Sequence, residues 1–162
     1  MRPMYLLITA SVLCLLACNK NTDITGKQAN EFLLSIQNHS YRLTAFYANK
    51  YIDYFPNDNI ASSDSDLWKF TKTYLWDDEN MFTPGGVLKI VQNSMKIPGT
   101  DDDTLYRKYD VFASDGRVRF DFIDYYYTPL QYRVDSFNDK YFIIDVDGPQ
   151  NSILYSRFDR LK

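Results

Sequence analysis

Any imidazole chemistry done by this chain rests on one residue, because His39 is its one histidine. That removes hydrolytic triads, imidazole metal sites and most general-base schemes. The chain also carries no Gly-x-Ser-x-Gly turn, no Gly-rich phosphate loop and no His-Glu-x-x-His helix. His39 falls at the end of a predicted helix, where a cation favours the dipole, and is read as structural. Carboxylates are more plentiful: Asp77, Asp78 and Glu79 are consecutive, as are Asp101, Asp102 and Asp103. Paired carboxylates can cleave glycosidic bonds and clustered ones hold hard cations. Each of these groups, however, lies in a predicted turn, where Asp caps its own backbone and stays in water. Asp145-Val146-Asp147-Gly148 lacks the remaining ligands of an EF-hand loop. No catalytic residue, metal ligand or cofactor site is assigned. What remains is aromatic. Trp68, Phe70, Tyr74 and Trp76 share one parity, and Tyr125, Tyr126 and Tyr127 are consecutive. Such rings serve as core, line a cavity, or stack on a sugar or a partner from an exposed face. Three in succession on a strand cannot all face inward, so at least one tyrosine is expected to be exposed. The alternative is a loop whose rings cover the end of a sheet.

The elements that must position these rings are mostly strands. In the last third, Leu105, Tyr109 and Val111 alternate with Tyr106, Lys108 and Asp110. After Ser114-Asp115-Gly116, a hairpin signal, Val118, Phe120 and Phe122 take one face and Arg119 and Asp121 the other. Further runs over Gln131 to Phe137, Lys140 to Val146 and Ser152 to Arg160 complete a β-meander, and short runs at this spacing mean a sandwich or barrel. Upstream, strands are predicted over Arg42 to Tyr47, Tyr51 to Phe55, Trp68 to Trp76 and Val87 to Gln92. Asp77 to Asn80 is read as the end of a run and Pro84-Gly85-Gly86 as a turn. Thr25 three residues before Gln28 is a capping-box spacing, and Ala29, Phe32, Leu33 and Ile36 recur at helical offsets, which predicts a short amphipathic helix ending near Asn38. A strand through Phe32 to Ile36 is the competing reading.

At the other end, Arg2 precedes the apolar run Tyr5 to Ala17, which is too short to span a bilayer comfortably and has the pattern of an export signal. Leu15-Leu16-Ala17-Cys18 resembles the lipobox of bacterial lipoproteins. The resemblance implies removal of residues 1–17, lipidation of Cys18, a polar tether over residues 18–24, and one domain over 25–162. Asn19, where an Asp would retain the protein at the inner membrane, implies the outer membrane of a Gram-negative cell envelope. Cys14 would leave with the signal, so no thiol remains for a disulfide. The formal net charge is -3, and one unit more negative without Arg2, which argues against a nucleic-acid or anionic-lipid binder.

The succession Leu67-Trp68-Lys69-Phe70-Thr71, Asp77-Asp78-Glu79, Phe82, Pro84-Gly85-Gly86 and the meander resembles the lipocalin-like domains of small bacterial lipoproteins, although Asp66 stands where the family's Gly-x-Trp has its Gly. The resemblance implies an all-β fold: an antiparallel meander closing into a barrel of about eight strands, with the one short N-terminal helix. An open curved sheet or β-sandwich is the alternative. It also implies an interior holding one small apolar ligand, with Trp68, Phe70, Tyr74, Trp76 and Tyr126 as candidate contacts. A barrel of eight strands can equally be filled by its own side chains. In that case exposed aromatics would hold a glycan or protein partner, and the chain would be an accessory interaction lipoprotein.

Overall fold

The computed structural model describes residues 25–52, 65–68, 75–96, 102–123 and 127–162. Residues 25–36 form the helix α1, so the helical reading of Phe32 to Ile36 holds over the extended one. Ala29, Phe32 and Ile36 on its apolar face are buried, and Leu33 packs against the same cluster. The helix stops at Asn38, whose φ of 62° is left-handed, a conformation Asn tolerates. There the Asn38 amide donates to the Phe82 carbonyl at 2.8 Å, which ties the helix end to the sheet.

Eight strands follow: β1 (Ser40–Ala48), β2 (Glu79–Thr83), β3 (Val87–Val91), β4 (Thr104–Ser114), β5 (Arg117–Ile123), β6 (Pro129–Phe137), β7 (Tyr141–Asp147) and β8 (Ile153–Arg160). Each pairs antiparallel with the next, and β8 pairs with β1, closing a barrel in sequence order. The predicted eight-stranded meander with one N-terminal helix is therefore present, as a closed sheet. Asp115 and Gly116 turn β4 into β5 with φ of 54° and 69°, as an Asp-Gly hairpin requires. In the β2–β3 turn, a Cβ on Gly86 would lie 2.9 Å from the Tyr109 carbonyl oxygen, so the close approach of β4 requires glycine. Register shifts between Leu43 and Ala45 in β1 and between Val134 and Ser136 in β6 bend the wall.

Alternation along the strands sets two faces. Inward go Tyr41, Phe82, Leu88, Ile90, Leu105, Tyr109, Val118, Phe120, Phe142 and Ile144, all buried in one cluster with the apolar face of α1. Outward go most of the charges, Arg107 opposite Leu88 being an exception, and one outward ion pair is itself nearly covered. Arg133, on β6, donates to Asp145 opposite it on β7 and lies 2.7 Å from Asp147. Because successive strands run opposite ways, the hairpins β2–β3, β4–β5 and β6–β7 lie together with α1 at what is here termed the lower end. The opposite ends of the strands form the upper end.

Four sequence expectations are corrected. Asp77 to Asn80 does not merely end a run, since Glu79 and Asn80 belong to β2. Nor does the acidic turn stay in water: Asp78 is fully buried, and Asp77 accepts from the Ser94 amide and hydroxyl at 2.8 and 2.6 Å. Trp68 and Trp76 are not the ends of one strand. Residues eight apart in a strand are separated by roughly 26 Å, whereas these rings stack with centroids 5.8 Å apart. Tyr51 and Ile52 are not in a strand either, and residues 53–55 of that expected run lie outside the described residues.

Candidate functional site

The lower half of the barrel is filled. Phe32 rises from α1 and meets Phe120, Phe137 and Phe142 edge-on with centroids 5.3 to 5.8 Å apart. Phe82 touches Tyr41, Tyr109, Phe120 and Phe142 in the same manner. Tilted and edge-to-face contacts are the arrangements aromatic quadrupoles favour, and here they leave a closed apolar floor. The two phenols at its margin find acceptors: Tyr41 donates to the Ser35 carbonyl at 3.0 Å and Tyr109 to the Thr83 carbonyl at 2.8 Å. Burial pushes the pKa of both phenols up, against a smaller opposing pull from Arg160 on Tyr41 and from a hydrogen bond with Gln37 on Tyr109.

The upper half is built differently. A second, separate buried cluster joins Ala48, Ile52, Leu67 and Leu154, with Phe46 and Val146 packed against it. Between this cluster and the floor, side chains of inward parity are only half-buried: Leu43 and Phe46 on β1, Phe122 on β5, Tyr132 on β6, Val146 on β7 and Ser156 on β8. Most of these side chains pack against the two clusters while keeping part of their surface exposed. The wall is mostly apolar, with the Ser156 hydroxyl as a polar point and the half-buried Arg107 on β4 and Asn80 on β2 also at inward parity; Phe122 and Tyr132 stack at 5.4 Å and 8° to give it a flat aromatic panel.

The barrel has a weak seam beside this space. β1 pairs with β2 at Ser40–Met81 and Tyr41–Asn80 alone. Higher up, the β1 edge is taken by residues 65–67, where the Ala48 amide donates to Ser65 and the Leu67 amide to Phe46 at 2.8 and 2.9 Å. Trp68 leaves that segment and Trp76 leads into β2, so their stacked, half-buried rings join the two sides of the seam. Arg42 and Glu79 approach across it to 3.8 Å. Asp77, just below Trp76, has its carboxyl held below the usual range, chiefly by the Ser94 hydroxyl.

Of the candidates read from the sequence, Trp68 and Trp76 are thus brought together, while Cys18, Phe70, Tyr74 and Tyr126 lie outside the described residues. Tyr127 is 74% exposed, with the Arg107 guanidinium 4.2 Å above its ring, so the tyrosine run does present one outward ring. The inner-wall residues Phe46, Tyr132 and Ser156 were not singled out, although strand alternation could have found them. His39 is not the dipole-favoured cation expected. The Arg160 guanidinium donates to its Nδ1 at 2.8 Å, and burial together with that positive charge holds its pKa below the ordinary value of 6.5. No family model, curated protein or solved structure matches this chain.

Proposed function

We propose that this chain is a lipid-anchored binding protein of the bacterial cell envelope, lipocalin-like in build, which holds one small apolar or amphipathic molecule in the upper half of its barrel. The observation that carries this reading is the division of the inner face into two clusters with half-buried inward side chains between them. Small-molecule sites are concave, mostly apolar and furnished with a few polar groups, and the wall formed by Leu43, Phe46, Phe122, Tyr132 and Ser156 has that composition. The chemistry of this wall suits a binder better than an enzyme, since rings, aliphatic groups, a hydroxyl, the Asn80 amide and the Arg107 guanidinium, which stays protonated, supply no acid–base pair. The apolar run ending at Ala17-Cys18 supports lipid attachment at Cys18 and outer-membrane residence. Cys18→Ala is expected to release the protein from the membrane fraction.

The binding reading is tested by filling the space. Ser156→Phe adds a ring at an inward, half-buried position of β8. If the space is open, the variant melts close to the parent and loses saturable binding of a fluorescent fatty-acid analogue. If the space is packed, the analogue does not bind the parent, and the added ring costs about 1–3 kcal/mol of stability through overpacking. The second outcome would end the proposal.

A further inference from the structure

The outer wall carries a groove of about 560 Å³ opposite the interior, where the β2–β3 turn, the middle of β4, the end of β5 and the start of β6 meet. Its floor is a row of polar side chains held in register across three strands: Asp110 on β4 faces Asp121 on β5, which faces Gln131 on β6. Lys108 lies two residues from Asp110 on the same face of β4. Apolar groups from Val87, Ile123 and Pro129 border the row, and the β2–β3 turn contributes Gly85 and Gly86, which leave space rather than fill it.

This groove gathers several charges of the outer wall without counterions. Other outward charges are paired, Arg133 with Asp145 and Asp147, Arg157 with Asp159, Arg119 with Asp115 and Arg42 with Glu79, while Lys89 and Arg117, unpaired among the described residues, stand singly on their strands. Among the described residues, Lys108, Asp110 and Asp121 form no ion pair with one another or with any neighbour. Two carboxylates directly opposite each other on adjacent strands destabilise a sheet unless something else engages them. Asp121 receives only the Gln131 amide, at 3.3 Å through Oδ2, and its Oδ1 has no hydrogen-bond partner. Asp110 accepts only the Val111 amide, at 2.9 Å.

We infer that this groove is a carbohydrate site, taking a neutral oligosaccharide. An anion would meet the Asp110–Asp121 pair, and a cation would meet Lys108. A metal ion would want more than two carboxylates, and no group of three His, Cys, Asp or Glu is gathered among the described residues. Hydroxyl groups are donors and acceptors at once, so a sugar can donate to both carboxylates and accept from Lys108 and Gln131. Its C–H faces lie against Val87, Ile123 and Pro129. Tyr106, 63% exposed on the same face of β4 just beyond Lys108, extends the platform by stacking. The site is on the opposite side of the sheet from the interior space, so the two can fail independently.

The test is a printed array of neutral and N-acetylated oligosaccharides probed with the full-length chain in detergent, followed by calorimetry on the best binder. The expected result is saturable binding that falls at least tenfold in Asp121→Asn and in Gln131→Ala, while Asp135→Asn, on the far side of β6, leaves it unchanged. Binding of the fatty-acid analogue should be the same in all three. An array without signal, or binding that Asp121→Asn and Gln131→Ala leave intact, would overturn the assignment. Should Asp121→Asn alter the melting temperature, Lys108→Ala carries the same expectation from an exposed position.

Discussion

The two halves of one barrel are made from the same strands and the same alternation, yet they differ in what reaches the axis. At the lower end a helix contributes Phe32, and Phe82, Phe120 and Phe142 close around it with essentially no exposed surface. At the upper end no comparable plug joins the two sides among the described residues, and the buried residues gather into a smaller cluster over β1 and β8. Burial that closes a cavity contributes transfer free energy and dispersion together, whereas a ring with one wet face contributes part of the first and little of the second. Stability should therefore reside at the closed end and adaptability at the other. That division is useful to a binder, which must keep its frame while its site exchanges water for ligand.

The largest expected effect tests the closed end. Phe32→Ala removes a fully buried ring that three other rings touch, and should cost about 3–5 kcal/mol in urea unfolding. A loss below about 1 kcal/mol would mean the floor is not the stable half. Phe122→Ala, which removes half of the panel stacked on Tyr132, should cost only about 1–2 kcal/mol, because the ring already gives up part of its area to solvent. Its larger effect should be on ligand affinity. Equal destabilisation by the two variants would erase the distinction between the halves.

The seam gives a smaller effect. Arg42 and Glu79 approach to 3.8 Å with side chains roughly a third exposed, so Arg42→Ala should cost about 0.2–1 kcal/mol. The difference from the parent should shrink in molar salt, as an exposed pair requires. A cost that persists in salt would show that β1 and β2 are held there by more than this pair.

These contrasts also show what the chain disclosed in advance. The meander from β3 to β8 was legible because Leu105, Tyr109, Val118, Phe120 and their partners alternate with polar residues over most of its length, and Asp115-Gly116 marks its turn. Strand β2 was not legible. The polar stretch that leads into it, Asp77 to Asn80, has the composition of a turn, and only the packed structure shows that Asp78 is covered and that Asn80 pairs with Tyr41. Parity placed Trp68 and Trp76 on one face of one strand. Parity cannot report that two rings have come together across a seam. The amphipathic face of α1 was visible as well, but periodicity says only that a face is buried. That Phe32 floors a barrel depends on strands more than eighty residues away.

The smallest effect concerns acid, and it belongs to the closed end. His39 sits between α1 and β1, and Arg160, near the end of β8, donates to its Nδ1, so the folded protein favours the neutral ring. Its folded pKa is therefore depressed below 6.5, and the unfolded chain takes up a proton first as pH falls. By linkage, stability is untouched above that value, declines as pH drops below about 6.5, and levels off once the folded ring is protonated as well. The carboxyls with lowered pKa do not share this window. Asp77, held down by Ser94, loses its contribution only as pH falls below the ordinary value of 3.8. The same limit applies to Asp159, where burial works upward and is outweighed by hydrogen bonds from Arg157 and Thr44. His39→Gln should therefore flatten the decline that begins below about pH 6.5 in urea midpoints while leaving the steeper loss below pH 3.8 in place. Because the group sits at the rim of the closed end, ligand affinity at the open end should not follow the same titration. If affinity falls with the His39 proton, the two halves are coupled and the stable floor is not independent of the site above it.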